Sequence, residues 1–397
     1  MLNEKSIEEL IEPILDKQLD FDRFVFTIIL NRINRLRKLS KEEIKKIEVY
    51  YSYVNDMQAI YDYISKLTNI QSKAIRNLIR SIAFEIYLDE EEYFNHTNTD
   101  YPKFEQNEGL QAVIENVIAN TTQTYQNEMR VKNMGFYISD YKRPKHKTFV
   151  RLNQVNNLID NLISNAVLND RDAINEVSPL IRDMLESGVR TITTDTDRIR
   201  TENLSSAIER DLLNSVRDIN QGSQDELGTQ FGADGVEISV HEFSAPDHEP
   251  VQGHQFTKQE FEKLQNGEDF KDVDDEHFLG FPRAIGEWNC RHYTFAIIVG
   301  FNPPTYTKAE LEKFKRRNAD GYVLSNGKHL TMYECTQYQR QFERNIRKNK
   351  IAYLTAKELG NKLLADKYSA KVASLTKSYY AFSKDCGLKV KIFRINV

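Results

Sequence analysis

Histidines and one cysteine gather in two short blocks of this 397-residue chain, and these residue types can bind a metal ion or carry out nucleophilic catalysis. The first block reads HEFSAPDHEPVQGH over 241–254, and the second reads GEWNCRH over 286–292. Five of the eight histidines lie between residues 241 and 292, so we predict a site rather than a solvated surface. Its candidate residues are His241, Asp247, His248, Cys290 and His292.

Three interpretations of this cluster compete. The first is a buried polar network, in which the imidazoles and the Asn289 amide satisfy loop backbone groups. The second is a structural zinc site, although Cys-x-His is a tighter spacing than such sites usually have. The third is catalysis, either by Cys290 with His248 or His292 as nucleophile and base, or by Asp247 and the histidines holding a metal for hydrolysis. No serine elbow, HExxH, GxGxxG or Walker loop points to a named class of enzyme.

The local pattern indicates how the chain would position these groups. Apolar and polar residues alternate over 236–241, which is the period of a half-buried strand. Proline favours a turn over 245–250. Cys290 and His292 enter an apolar run over 293–299, so a strand that starts there would place both on one face. We expect two convergent strands to bring the candidate residues together.

The first 90 residues have the apolar spacing of a helical bundle with short connections. One helix is predicted over 21–39 and another over 70–87. Between them, Ser40 followed by Glu43 forms a capping box, which predicts the start of a further long helix.

A polar, turn-rich linker is predicted over 90–106, and a second helical unit over 107–220. Within that unit, residues 142–147 form a basic turn. Gly188 is placed to end one helix, and the next helix is expected over 195–219.

The composition changes near residue 221, where glycines become frequent, so we place a domain boundary there. Residues 221–311 are predicted to form a small histidine-rich α+β module. Its segment 260–287 holds nine acidic and three basic side chains, which indicates an exposed helix and loop.

The last predicted unit, residues 312–397, contains 19 Lys plus Arg and 7 Asp plus Glu, a net charge of +12. Since the chain totals −5, the preceding residues carry −17. Asn326-Gly327 is typical of a hairpin turn. Two helices, over 332–350 and 356–383, and a terminal strand are expected to complete this basic unit.

Three arginines of this tail, Arg340, Arg344 and Arg347, recur at spacings of four and three, which places them on one helical stripe. Such a stripe can bind phosphates or an acidic protein surface, or it can be a solvated face.

The composition and the terminal sequence indicate the class of protein and its compartment. The chain is 40% hydrophobic and 28% charged, which is typical of a globular protein. The acidic amino terminus lacks a signal-peptide layout, and the longest apolar runs fall far below the roughly 20 residues of a membrane span. Three scattered cysteines indicate a reducing compartment such as the cytoplasm rather than a disulfide framework. We predict an α+β fold that is predominantly α-helical.

The order of these motifs resembles the minor capsid protein 2 family of tailed bacteriophages, which is similar to the Mu-F-like head morphogenesis proteins. The matching motifs are His-x5-Asp-His-x3-Gln-Gly, Gly-x2-Asn-Cys-Arg-His, and the helix MYECTQYQRQFERNIR over 332–347. The resemblance runs from about Asn107 to Arg394. Ala245 and Val251 stand where the family commonly has an arginine and a tryptophan, but the histidine positions are kept.

The resemblance implies a structural protein of the virion, made in the bacterial cytoplasm and built into the phage head near the portal or the inner capsid face. It implies portal or capsid proteins as partners, several copies in the particle, and a contact with packaged DNA as a further possibility. From the residues alone, zinc is the candidate cofactor. The alternative function is a metal-dependent or Cys/His hydrolase, such as a nuclease or toxin-like effector, carried in the virion.

Overall fold

The computed structural model describes residues 4–45, 48–140, 143–195, 198–267, 269–271, 277–279, 284–286, 290, 292–301, 303–358 and 360–395. The α-helices are α1 Glu4–Leu36, α2 Lys41–Lys45, α3 Glu48–Asp89, α4 Glu91–Thr97, α5 Glu108–Glu128, α6 Leu152–Leu168, α7 Ala173–Ser187, α8 Leu204–Phe231, α9 Lys258–Gln265, α10 Lys308–Asp320, α11 Met332–Glu358 and α12 Lys362–Asp385. The strands are β1 Gly135–Asp140, β2 Arg143–Arg151, β3 Arg190–Asp195, β4 Arg198–Asn203, β5 Gly235–Ile238, β6 Gln255–Thr257, β7 Asp269–Lys271, β8 His277–Leu279, β9 Thr294–Ile297, β10 Tyr322–Val323 and β11 His329–Leu330. The predicted fold class, α+β with helices predominating, is confirmed.

The amino-terminal helices follow the sequence pattern in part. Ser40 and Glu43 form the predicted capping box, in which each side chain contacts the other residue's backbone N–H. The helix predicted over 70–87 is instead the second half of α3, because neither glycine nor proline interrupts residues 48–89. The predicted linker over 90–106 also proved wrong, since it contains α4 and a 3-10 helix, Phe104–Gln106.

Two β-hairpins replace segments for which the sequence predicted a turn and a helix. The basic turn predicted over 142–147 is wrong for residues 143–147, which belong to β2 and pair with β1. β3 and β4 occupy 190–195 and 198–203, where a helix was expected from residue 195. The run Thr-Ile-Thr-Thr over 191–194 explains the second correction, because β-branched residues favour strands. The hairpins join into one sheet of order β2-β1-β3-β4.

Helix α8 continues without a break past residue 221 and ends at Phe231, where Gly232 adopts a left-handed conformation with φ of 80°. The predicted boundary near 221 therefore falls within a helix, and the division of the chain into units stays a prediction.

One large hydrophobic core contains buried residues of α1 and of every helix from α3 to α8. It extends to Ala352 and Ala356 of α11 and to α12. A buried cation lies within this helical body. The Arg32 side chain of α1 is fully buried, and its guanidinium donates two hydrogen bonds to Asp160 of α6, at 2.7 and 2.6 Å. It donates a third to Asp56 of α3, at 2.8 Å. This fork connects three helices and pairs a charge that burial would otherwise make costly.

A smaller sheet of order β6-β5-β9 packs against α8 and carries the histidine blocks at one end. A Cβ at Gly228 of α8 would lie 2.4 Å from Cβ of Ala296 in β9, so this glycine allows the helix to lie directly on the strand. The sheet and α9 enclose a second, small core with seven buried members, Val236, Ile238, Val251, Phe256, Leu264, Ile285 and Cys290.

The carboxy-terminal part contains α10, a short hairpin and a pair of long helices. Asn326-Gly327 forms the predicted turn between β10 and β11, with Gly327 at a φ of 82°. α11 and α12 pack against each other, and α11 also contacts α1 and α7. The predicted terminal strand is instead a 3-10 helix, Ile392–Ile395. Among the described residues, no helix has both the length and the apolar character that crossing a bilayer requires.

Candidate functional site

Strands β5 and β9 set the position of the two histidine blocks. They are antiparallel neighbours, with Ile238 opposite Thr294, and the backbone N–H of Ser239 donates to the carbonyl of Tyr293. The segment that follows β5 and the segment that precedes β9 therefore meet at the same end of the sheet. This register, rather than a shared strand face, brings the blocks together.

Three side chains converge at that end of the sheet: His248, Cys290 and His292. The Sγ atom of Cys290 lies 3.3 Å from Nδ1 of His248 and 3.6 Å from Nδ1 of His292. One ligand atom from each residue lies within 4.8 Å of the other two. All three are buried, with exposed fractions of 0% for His248, 4% for Cys290 and 3% for His292. The site is thus a closed cluster of one sulfur and two nitrogens.

The Nε2 atom of His292, on the side of the ring away from Cys290, faces two oxygen atoms. Its Nε2 lies 3.4 Å from Oε1 of Gln252 and 3.4 Å from Oγ of Ser244. Gln252 Oε1 also accepts a hydrogen bond from the backbone N–H of His241 at 2.9 Å, and Ser244 Oγ donates to the carbonyl of Ala245 at 3.2 Å. Both oxygens are therefore held within the segment 241–253, which includes the turn that Pro246 predicted over 245–250.

Two further candidate residues lie around the cluster. An Asp247 carboxylate oxygen is 3.8 Å from Nε2 of His248. His241 places its ring edge-on to His292, with ring centroids 4.5 Å apart, and it is only half-buried. The structure therefore brings all five predicted residues into one neighbourhood, but only three of them face a common centre.

Burial and hydrogen bonding act in opposite directions on the Cys290 thiol. Burial raises the pKa of Cys290, but the contact with His248 and backbone hydrogen bonds from Gly286 and His292 outweigh it, so the pKa ends below its ordinary value. The thiolate therefore forms more readily here than in an ordinary cysteine, and a thiolate is the form that binds metals or attacks electrophiles.

The predicted arginine stripe lies in α11, and its three members have different surroundings. Arg344 is exposed and Arg340 is half-buried. Burial lowers the pKa of Arg347, while Glu209, Glu343 and Asp22 act on it in the opposite sense. These acidic groups belong to the same protein, so Arg347 has electrostatic partners within its own chain.

The groups around Arg347 form a network of acidic and basic side chains within the protein. Arg394 contacts Glu209 at 3.1 Å and Glu343 at 3.6 Å, and the hydroxyl of Tyr379 donates to Glu343 at 3.0 Å. Burial raises the pKa of Asp22 to about 7, although Gln18 and Arg347 act against the shift.

The family model described as phage minor capsid protein 2 matches residues 2–382, nearly the whole chain. The chain belongs to the phage minor capsid protein 2 family. It is therefore a bacteriophage structural protein of the head, and its family places it in the virion. No curated protein and no solved structure matches it.

The family motifs contain groups to which sequence reasoning gave no role. Gln252 is the glutamine of His-x3-Gln-Gly, and its contacts with His292 and His241 give that position a structural purpose. Ser244 had no distinguishing signal, because its contact with His292 depends on how the turn folds. Trp288, Asn289 and Arg291, which belong to the second block, lie outside the described residues, as does the side chain of His277.

Proposed function

We propose that this minor capsid protein lies near the portal or the inner capsid face in a small number of copies, and that its basic carboxy-terminal part contacts an acidic protein surface there. It would be made in the host cytoplasm and built into the head during assembly. Three facts support the proposal: membership of the family, a net charge of +12 in residues 312–397, and the exposure of that charge.

The exposure of the basic residues is the observation that carries this proposal. Along α12 and just beyond it, the exposed lysines are Lys362, Lys367, Lys371, Lys377, Lys384 and Lys389. A groove of about 790 Å³ beside α10 is lined by Lys308, Lys313, Arg316 and Arg317, together with two acidic residues. A positive surface of this extent steers the protein toward an acidic partner.

The arginine stripe contributes to this surface unequally. Arg344 is exposed and Arg340 half-buried, so both remain part of the proposed contact. Arg347 lies among acidic groups of its own chain, and we expect it to act mainly within the fold. The aromatic residues beside the stripe, Tyr338 and Phe342, pack against a hydrophobic cluster of the protein, which favours a protein partner over single-stranded DNA.

Incorporation into particles tests the proposal. Lys367, Lys371 and Lys377 changed together to glutamine should lower the amount of this protein in purified proheads and virions, as measured by quantitative mass spectrometry. The matched control is Lys66, Lys73 and Lys103 changed to glutamine, which removes the same charge from exposed positions of the helical front. Normal incorporation of the first variant would contradict the proposal.

Salt dependence separates the two kinds of acidic partner. Binding to DNA releases counterions and weakens steeply with salt, whereas a shaped protein site depends more on particular side chains. We expect cross-links from α12 lysines to portal or capsid protein in intact particles. Cross-links confined to DNA, with steeply salt-dependent binding, would contradict the protein partner.

One observation favours the second candidate, a hydrolase. Asp247, His248 and Cys290 follow one another as acid, base and nucleophile do in a triad, with contacts of 3.8 and 3.3 Å. The exposed fraction of Cys290 is only 4%, however, and a nucleophile must be accessible. Alkylation of the native protein tests this candidate: rapid labelling of Cys290, relative to the buried Cys335 and Cys386, would favour catalysis.

A further inference from the structure

We propose that His248, His292 and Cys290 bind one zinc ion, which connects the β5–β6 loop to the segment that enters β9. The inference is independent of where the protein lies in the head. It rests on the directions in which these three side chains present their lone pairs.

The His292 ring must carry its proton on Nε2. The backbone N–H of His241 donates to Gln252 Oε1, which identifies that amide atom as the oxygen. Ser244 uses its hydroxyl proton on the carbonyl of Ala245. Both atoms next to Nε2 are therefore acceptors, so Nε2 is the donor toward them. In the neutral ring, Nδ1 of His292 is then an unprotonated lone pair.

The His248 ring is oriented in the same sense. Its Nε2 faces the carboxylate of Asp247 at 3.8 Å, and a carboxylate only accepts hydrogen bonds. The proton of a neutral His248 ring is therefore favoured on Nε2, which leaves the lone pair on Nδ1. That lone pair points to Cys290 Sγ at 3.3 Å, as the lone pair of His292 does at 3.6 Å.

Two nitrogen lone pairs thus face one sulfur. All three groups are buried, and one possible ligand atom of each lies within 4.8 Å of the other two. A cation at their centre would therefore attract all three. Ligands of one tetrahedral zinc, with bonds of about 2.3 Å to sulfur and about 2.0 Å to nitrogen, lie about 3.5 Å apart. The two sulfur–nitrogen separations, 3.3 and 3.6 Å, agree with that geometry, and the two nitrogens lie within 4.8 Å of each other.

The donor set and its surroundings favour zinc over harder cations. Thiolate and imidazole are ligands for zinc, whereas magnesium and calcium prefer oxygen. Asp247 behind His248, and Gln252 with Ser244 behind His292, are the outer contacts that orient metal-bound histidines. His241, half-buried and edge-on to His292, is a candidate for the fourth ligand.

The metal content of the full-length protein, purified without a histidine tag, tests this proposal. Native mass spectrometry after exposure to zinc should show about one equivalent, and the variants Cys290→Ser and His292→Gln should lose it. The controls Cys386→Ser and His329→Gln change the same residue types away from the site and should keep it. A folded wild-type protein that stays metal-free, or a Cys290→Ser variant that keeps its full equivalent, would overturn the proposal.

Cobalt(II) replacement in the wild-type protein gives a readout that does not depend on the folding of a variant. Cobalt bound by one thiolate and two imidazoles should show a thiolate charge-transfer band and the absorption of a tetrahedral ion. Bound cobalt without the thiolate band would exclude Cys290 as a ligand and overturn the assignment.

Discussion

The helical body and the histidine module bury polar groups in different ways. In the body, Arg32 and Arg35 pair with Asp56 and Asp160, so the two positive and two negative charges balance within the chain. In the module, two imidazoles face one cysteine sulfur. The body thus contains its own counter-charges, whereas the proposed zinc ion would complete the module. If the proposal holds, only the module depends on a ligand.

The sizes of the two cores sharpen this contrast. Among the described residues, the large core extends over nine helices and part of the four-stranded sheet, whereas seven buried residues form the core of the module. A small core contributes little stability, and natural proteins often supplement one with a metal or with cross-links. A zinc ion held by residues 42 positions apart would supply such a cross-link.

The largest effect on stability is expected from removing the buried guanidinium of Arg32. Arg32→Leu leaves the buried Asp56 with Arg35 alone and removes the guanidinium that pairs with the half-buried Asp160, which should lower the free energy of unfolding by about 3–5 kcal/mol. Chemical denaturation measures this change, with the exposed Arg76→Leu as the control. An equal loss in both variants would show that Arg32 contributes no more than a surface ion pair.

The next effect concerns an outer contact of the metal site. Gln252→Ala removes the oxygen that orients His292, and changes of this kind typically weaken metal binding by about 10- to 100-fold. Competition with a chelator of known affinity measures it. The exposed Gln123→Ala is the matched control, and unchanged zinc affinity in Gln252→Ala would show that Gln252 does not orient the ligand.

The body should respond to pH through Asp22, in a way that the module does not. Burial raises the pKa of its carboxyl from 3.8 to about 7, so the folded state holds a proton that the unfolded state has lost. Stability therefore falls as pH rises from about 4 to 7 and then levels off.

Asp22→Asn removes this dependence, so the gain in melting temperature over wild type should grow between pH 4 and pH 7. Exposed Asp20→Asn, on the same helix, should give no such trend. A gain that is independent of pH would contradict a raised pKa at Asp22.

The smallest effect distinguishes two arginines of one stripe. Arg344→Gln should leave the free energy of unfolding within about 0.5 kcal/mol of wild type, as is usual for exposed positions. Arg347→Gln should cost more, because it removes a charge that faces Glu209 and Glu343. Thermal unfolding compares them, and equal stabilities would return both residues to a solvated face.

Local signals predicted the features that depend on few residues. The capping box at Ser40, the helix end at Gly188 and the turn at Asn326-Gly327 all follow from chemistry within a few positions. The hairpin of β3 and β4 was missed because the helical spacing of Leu204, Ile208 and Leu212 was extended backward to Ile199, which lies five residues before Leu204. Its pairing with β1 is a tertiary contact that the sequence pattern does not record.

The site shows the same limit. The residue types and their grouping in two blocks identified the five candidates. The end of the sheet at which the two blocks meet, however, depends on the register between β5 and β9. The direction of each imidazole depends on Gln252, Ser244 and Asp247, whose contacts form only in the folded turn. The proposal of a metal centre over a hydrogen-bonded network therefore rests on the arrangement of the side chains, which no spacing reveals.

Hydrogen exchange of the full-length protein, with and without a zinc chelator, tests the contrast between the two regions most directly. We predict that chelation accelerates exchange in β5, β9 and residues 244–253, while the helices joined by Arg32 keep their protection. Unchanged exchange throughout, in a protein shown to have lost its zinc, would contradict the account. Equal acceleration in the module and the body would contradict it as well.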